Sequence, residues 1–199
     1  MSDAETGSAP GAPLVVCCAL DTGRVWDDPS DLRGEILPSE RLVLHALEVA
    51  RAEGPVTWDG DARRLRDRIA TANAQIVRTY SLLSQETRVR RRPSPALEWL
   101  LDNSHIVDQQ LREIDEDLPF GYLKKLPRFS RGGMRGYPRI YGLCLDFLRH
   151  TDARLDTDLL AEYVLSYQRE HPLGIGELWA IPILLRFGLI LITGGIASK

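Results

Sequence analysis

Residues 94–119 read SPALEWLLDNSHIVDQQLREIDEDLP, and this stretch indicates the fold class. Ser94 and Pro95 are typical of a helix start, because serine caps exposed backbone N–H groups and proline suits the first helical position. Pro119 ends the helix, because proline cannot continue one. The apolar residues between these limits recur at helical spacing: Leu97, Leu100, Leu101, Val107, Leu111, Ile114 and Leu118. The stretch therefore predicts an amphipathic helix.

Five further helices are predicted on either side of this stretch. The first is expected to begin with Ser39 as its N-cap and to end at Gly54-Pro55. The second carries a narrow apolar seam suited to packing against another helix. This second helix is predicted over residues 61–86. Three later helices are predicted: one over residues 139–149, one that begins after the cap residue Asp156, and one over residues 177–192. A glycine-rich loop is predicted over residues 121–138. The sequence predicts an all-α fold of about six helices in an irregular antiparallel bundle.

The chain divides into three predicted regions. Residues 1–31 form a flexible, disordered N-terminal lead-in, because its first part is rich in Ser, Gly, Ala and Pro. Leu14–Leu20 is the only stretch with a hint of strand character, and acidic residues precede it where an export signal needs basic ones. Residues 32–190 form the helical domain, and residues 191–199 a divergent C-terminal tail. The apolar stretch Gly188–Ala197 is expected to leave an apolar surface exposed, because the polar residues that should continue the helix are missing.

Composition excludes several classes of function. The 199-residue chain carries a formal charge of −3, which argues against a nucleic-acid surface. Its three cysteines form no CxxC pair, and no two of its four histidines are spaced four residues apart. We therefore predict no metal site, no cofactor and no nucleic-acid partner for this chain.

The last predicted helix has two interpretations. Leu178–Ile192 is nearly long enough to cross a bilayer, but Arg186 lies in its middle and Pro182 interrupts it. A helix buried in the protein is the favoured interpretation. A membrane-associated helix stays open as the alternative, although the chain itself has the composition of a soluble or peripheral protein.

Several segments resemble the N-terminal helical region of the cyclic β-1,2-glucan synthase family. They occur in the family's order over roughly Leu32 to Ile190, and a weaker match lies at Leu32–Leu37. The strongest are Pro95–Asn103, Gly136–Tyr141, His150–Asp152 and Gly176–Arg186. The ordered set is more specific than any one segment.

The resemblance implies a setting for the chain. Family members are large inner-membrane glycosyltransferases that make cyclic glucan from UDP-glucose and carry a phosphorylase-like domain. It implies that this chain is a non-catalytic segment on the cytoplasmic side, encoded by a gene fragment, with the remainder of a glucan synthase as its partner. β-Glucan is a further candidate partner. A free-standing helical adaptor that binds through the second helix, or a glucan-binding module, is the alternative.

No residue is predicted to be catalytic, and whether the chain has enzyme activity is left open. A nucleotide-sugar transferase needs a strand-borne acidic motif for its metal. The two acidic pairs here, Asp59-Gly60-Asp61 and Asp156-Thr157-Asp158, lie at predicted helix starts. We expect both pairs to cap backbone N–H groups instead.

Seven residues form a candidate polar cluster that binds glucan or braces the helices. Asp102 and Asn103 are expected to be cross-braces, and the two tryptophans to fill the core rather than stack on sugar. Glu177 and Arg186 lie on opposite helix faces, so each needs its own partner. The candidate partner of Glu177 is Arg139, and that of Arg186 is Asp102 or Glu98. The cluster consists of Trp99, Asp102, Asn103, Arg139, Glu177, Trp179 and Arg186.

Tyr137 and Tyr141 are candidate glucan attachment sites. The resemblance implies that the glucan grows on the protein itself, and a tyrosine hydroxyl can carry a glycosidic bond. Both residues flank Arg139 just after the glycine-rich loop. The alternative is that their rings are buried and anchor this loop against the helix that follows.

Overall fold

A computed structural model describes residues 34–58, 61–89 and 102–197, with the backbone alone for 83–89 and 194–197. The predicted lead-in, the possible strand Leu14–Leu20, Glu98 and Trp99 lie outside the described residues. Asp59 of the first acidic pair and the first part of the third predicted helix also lie outside the described residues.

The described residues confirm the all-α prediction. They form seven helices, one of which is a single turn inside the predicted loop. Two two-residue strands, β1 (Val56–Thr57) and β2 (Arg128–Phe129), pair antiparallel with Val56 opposite Phe129. The helices are α1 (Ser39–Ala52), α2 (Arg63–Val89), α3 (Ser104–Asp117), α4 (Phe120–Leu123), α5 (Arg139–His150), α6 (Thr157–Tyr167) and α7 (Ile175–Ala197).

Helix starts follow the predicted signals with two corrections. Asp156 caps α6 as predicted, accepting hydrogen bonds from the backbone N–H groups of Asp158 and Leu159. Ser39 is the first residue of α1 rather than its N-cap, a position that Pro38 takes without a side-chain hydrogen bond. The third predicted helix does not run through Asn103, which is the N-cap of α3. Asparagine favours caps because its side chain competes with helical hydrogen bonds.

The segment predicted as a loop is more ordered than its glycines indicate. It contains α4 and β2, and the turns that follow β2 use Gly132 and Gly136 at positive φ, which glycine adopts without strain. Arg128, within this segment, is buried and donates to the carbonyls of Leu126 and Leu123, at 2.6 and 2.5 Å. A buried arginine thus closes a turn whose sequence shows no helical or strand period.

Helix α7 packs against α2, α3 and α5, and α1 packs against α6. Helix α5 is buried along nearly its whole length, because both its faces meet other elements. The first four residues of the apolar seam of α2 are also buried, so this part of the seam serves the core and does not offer the partner surface of the adaptor hypothesis. Its buried members are Leu65, Ile69, Ala72 and Ile76.

The apolar residues Leu189–Ile192, after Phe187, lie in the core or pack against it. Helix α7 continues to Ala197, and Gly188, Ile190 and Leu191 are buried. The sequence predicted an exposed apolar surface here, and for these residues the prediction is wrong. The apolar side of the helix meets α5, which the sequence of the tail alone does not reveal.

Candidate functional site

Arg139 and Glu177 form a buried ion pair, as the sequence predicts. Arg139 Nε and Nη2 donate to the two carboxylate oxygens of Glu177 at 2.7 and 2.9 Å, and Nη2 also donates to the Pro172 carbonyl. The Gly174 N–H completes the shell of Glu177 at 2.9 Å. Burial acts to lower the pKa of Arg139, but the bonds to Glu177 outweigh it and raise the pKa. The pair ties the start of α5 to the start of α7.

A second, half-buried carboxylate, that of Glu53, lies near this pair. The Tyr167 hydroxyl donates to Glu53, just after the end of α1. Burial raises the pKa of Glu53, and the Tyr167 bond and the charge of Arg139 offset this only in part. Burial also raises the pKa of Tyr167, with the charge of Glu53 adding to it. Tyr167 therefore keeps its proton and uses it in the hydrogen bond to Glu53.

Arg186 meets a carboxylate on the third helix, but not a predicted one. Its Nη1 lies 3.1 Å from Glu113 Oε2, and both side chains are more than one-third exposed. Asp102, one of the two predicted partners, is exposed and is not the carboxylate that Arg186 contacts, while Glu98, the other, lies outside the described residues. Helical periodicity places Glu113 on the α3 side facing α7, whereas Asp102 precedes the turn at Asn103.

The predicted polar cluster is therefore divided among several locations. Asn103 is half-buried at the start of α3, and Trp99 lies outside the described residues. Trp179 is 72% exposed, so its prediction as a core residue is wrong. Helix α7 is apolar on almost every side, and it cannot bury all of its apolar side chains at once. Trp179 lies four residues after exposed Ile175, on the side of α7 away from α5.

The two candidate attachment tyrosines have buried rings. Their ring centroids are 5.5 Å apart, and the Tyr141 ring stacks on Phe187 at 6.0 Å. The Arg64 guanidinium lies 4.6 Å from the centroid of the Tyr137 ring. This geometry favours the alternative in which the rings anchor the loop. Attachment of glucan stays a prediction, and it would require the loop to open.

A buried His–Asp–His cluster joins α1 to α5. Asp146 is fully buried, with Oδ2 2.9 Å from His45 Nε2 and Oδ1 3.6 Å from His150 Nε2. The Tyr163 hydroxyl of α6 donates to the same Oδ2 at 2.6 Å. The two imidazole rings meet edge to face with centroids 4.6 Å apart. Three helices therefore converge on one carboxylate.

The charges in this cluster support one another. Burial acts to raise the pKa of Asp146, but the hydrogen bond and charge of His45 outweigh it and lower the pKa. Burial likewise acts to lower the pKa of His45, and the bond to Asp146 reverses this and raises it. Burial lowers the pKa of His150. The arrangement holds Asp146 ionised, with His150 as a neutral imidazole.

Sequence reasoning missed this cluster. His45 and Asp146 are 101 residues apart, so no spacing rule connects them. Asp146 and His150 are four residues apart on one helix, which places both on the same face. A search for mixed Asp/His spacing, rather than His/His spacing alone, would have found that half of the cluster.

Comparison with known proteins gives one finding on relationship. No protein-family model matches the chain. Over 116 residues, 58% of the chain, it is 34% identical to the cyclic beta-(1,2)-glucan synthase NdvB of Rhizobium meliloti (strain 1021). The chain is related to a segment of a glucan synthase. This confirms the predicted resemblance.

The extent of the match limits what the similarity carries. The matched part is 4% of the length of the Rhizobium synthase. The activity named for that whole protein therefore concerns many residues that have no counterpart here. For this chain, the similarity shows a relationship to one segment of the synthase and carries nothing about the activity of the whole enzyme.

Proposed function

We propose that the chain is a non-catalytic helical segment of a cyclic β-1,2-glucan synthase-like membrane glycosyltransferase. The observation that carries the proposal is the 34% identity to a short part of the Rhizobium synthase. In this role the segment contributes a folded scaffold, and the transferase and phosphorylase-like regions of the protein contribute the chemistry. As part of such a protein, it lies on the cytoplasmic side of the inner membrane.

The geometry of the acidic residues supports a scaffold role. Asp156 uses its carboxylate to accept two backbone N–H groups at the start of α6, at 3.0 Å each. That carboxylate is thus engaged in capping the helix, not held at a strand end for a nucleotide-bound metal. Glu177 is likewise engaged by Arg139 and a backbone N–H. These contacts are those of a framework.

The exposed side of α7 is the surface we assign to the rest of the synthase. Ile175 and Trp179 are 74% and 72% exposed and lie one turn apart. Tryptophan is enriched among the residues that contribute most to protein interfaces. The same helix is the candidate membrane span of the described residues, over Ile175–Thr193, with 44% of its apolar window buried in the protein. Burial on one side leaves the other side for a neighbour.

The proposal is tested by separating scaffold from chemistry. The purified chain, incubated with radiolabelled UDP-glucose and Mg²⁺, is expected to yield no labelled oligosaccharide. A chimeric Rhizobium synthase carrying this chain in place of its matching segment is expected to make cyclic glucan. The same chimera with Arg139→Leu is expected to lose product, because the buried pair is broken. Labelled product from the chain alone, or an inactive chimera, contradicts the proposal.

The exposure of Trp179 favours glucan binding as a second candidate function. An exposed indole can stack on the apolar face of a glucose ring. Linear β-1,2-glucan is then expected to quench tryptophan fluorescence, and Trp179→Phe to abolish the change. Trp58, which directly follows β1 and is 66% exposed, provides the matched control as Trp58→Phe. Equal loss in both variants excludes a specific site.

A further inference from the structure

We propose that His45, Asp146 and His150 bind one divalent transition-metal ion, with Zn²⁺ as the best match. The proposal is independent of the function proposed above. The three residues each present one ligand atom, and these atoms lie within 4.8 Å of one another. Two imidazole nitrogens and one carboxylate oxygen form the ligand set on which many zinc sites are built.

The spacing of the ligand atoms fits a single ion. Around a tetrahedral Zn²⁺ with bonds near 2.0–2.1 Å, neighbouring ligand atoms lie about 3.3 Å apart. His150 Nε2 lies 3.6 Å from Asp146 Oδ1, which is close to this spacing. His45 Nε2 lies 2.9 Å from the other carboxylate oxygen, Oδ2, so its ring has to turn towards Oδ1 to share an ion with it. Because the three ligand atoms lie within 4.8 Å of one another, their side chains have to close in by at most about 1.5 Å to reach this spacing.

One carboxylate oxygen points independently to a ligand. Asp146 Oδ1 is fully buried and has no hydrogen-bond partner among the residues that the structure describes. Buried carboxylate oxygens are normally satisfied, because leaving one without a partner is costly. Oδ2 already accepts from Tyr163 and faces His45, so Oδ1 is the atom available to an ion. A cation between Oδ1 and the two imidazoles would complete its coordination.

The surroundings of the cluster resemble the outer shell of a metal site. His150 Nδ1 lies 2.7 Å from the Glu35 carbonyl oxygen, to which it donates, and this bond leaves Nε2 as the lone-pair nitrogen that faces Asp146. Tyr163 orients the carboxylate through its hydroxyl. His45 and His150 side chains are 7% and 13% exposed, so the cluster lies close enough to the surface for an ion to enter.

The ligand chemistry favours zinc over the common hard cations. Ca²⁺ and Mg²⁺ require mostly oxygen ligands, and this cluster supplies a single carboxylate. Imidazole suits Zn²⁺, Co²⁺ and Ni²⁺. Three protein ligands leave a fourth position for water, as in zinc sites that are not purely structural. The competing arrangement is an ion pair between imidazolium and carboxylate that needs no metal.

The test is metal binding by the full chain, produced without a histidine tag. Cys17 and Cys18 are replaced by serine throughout, because adjacent thiols also bind zinc. After removal of metal with a chelator, Zn²⁺ is titrated by calorimetry, and Co²⁺ is followed by its visible absorption. We expect one equivalent to bind, and Tm to rise by roughly 5–10 °C at a hundredfold excess over Kd. Absence of stoichiometric binding overturns the proposal.

Substitution identifies the ligands. His45→Gln and His150→Gln are each expected to weaken Zn²⁺ binding at least tenfold, whereas His105→Gln, at an exposed histidine of α3, leaves it unchanged. Zinc binding that survives both cluster substitutions overturns the proposal. If the variants do not fold, X-ray absorption of the zinc-loaded wild-type chain decides. Two imidazole nitrogens at about 2.0–2.1 Å support the site, and a shell without imidazole overturns it.

Discussion

At the scale of residues, two arginines show how burial sets the value of an ion pair. Arg139 and Glu177 are almost fully buried, with every polar atom of the carboxylate engaged. Arg186 and Glu113 are both more than one-third exposed. Breaking a buried pair leaves a charge without compensation in a poorly solvated site, whereas water replaces a lost surface partner.

The contrast predicts unequal effects of the same substitution. Arg139→Leu is expected to lower the free energy of unfolding by roughly 3–5 kcal/mol, since Glu177 is left buried and charged. Arg186→Leu is expected to cost less than about 1 kcal/mol. Urea unfolding followed by circular dichroism measures both. Equal losses would show that the two pairs do not differ in solvation as the structure indicates.

Glu53 predicts a pH dependence of stability. Burial raises its pKa above the ordinary 4.5, so the folded protein binds this proton more tightly than the unfolded chain. Its contribution to stability is complete below pH 4.5 and is lost as the pH rises through the raised pKa of the folded state. Stability attributable to Glu53 therefore falls, rather than rises, on going towards neutral pH.

The measurement compares wild type with Glu53→Gln. Glutamine keeps an oxygen that accepts the Tyr167 hydroxyl but cannot ionise. The difference in unfolding free energy between variant and wild type is expected to grow in favour of the variant as the pH is raised from 4 to 7. A difference that is constant over this range would contradict the raised pKa.

At the scale of elements, the contact between α5 and α7 depends on one small residue. A methyl group added at Gly188 would lie 2.4 Å from Leu148 Cδ1 and 3.2 Å from Leu145 Cδ2. Such distances require the two helices or their leucines to shift. The close approach is what allows the apolar residues after Phe187 to enter the core.

Gly188→Ala is therefore expected to destabilise the protein by about 1–3 kcal/mol despite the higher helix propensity of alanine. Gly121→Ala in α4 is the matched control, because nothing lies within 4 Å of the added methyl group. The control is expected to leave Tm unchanged or raise it. A neutral Gly188→Ala would mean that α7 does not pack against α5 beyond Phe187.

At the scale of the whole molecule, α7 serves the interior of a folded domain while keeping the length of a membrane span. Its apolar window has a mean hydropathy of 1.9, and 44% of it is buried in the protein. Insertion into a bilayer would expose α5 and place Arg186 in hydrocarbon, at a cost of at least roughly 2.5 kcal/mol. In the packed arrangement α5 stays covered, and Arg186 remains partly exposed to water beside Glu113.

Cell membranes containing the expressed chain test this balance. Alkaline carbonate is expected to release the wild-type chain, since α7 stays packed against α5. Arg186→Leu, which removes the charge from the window, is expected to increase the fraction that resists extraction. A wild-type chain that remains entirely in the membrane pellet would show that α7 spans the bilayer.

Much of the architecture could be predicted because its signals are local. Asp156 caps α6, Pro119 follows the end of α3, and Arg139 begins α5, as the spacing of apolar and capping residues indicates. The candidate site was predicted only in part. The Arg139–Glu177 pair was found from charge complementarity, but the partner of Arg186 was misassigned, because it depends on which side of α3 faces α7.

The amino-acid sequence by itself determined the fold class, most helix limits and the relationship to a glucan synthase segment, since periodicity, caps and ordered motifs are properties of neighbouring residues. Tertiary structure alone decided the exposure of Trp179 and the meeting of His45 with Asp146 across 101 residues. The physical reason is that α7 is apolar on almost every side, so its sequence does not specify which side is buried. Contacts between distant residues are set by how whole helices pack, which no local pattern contains.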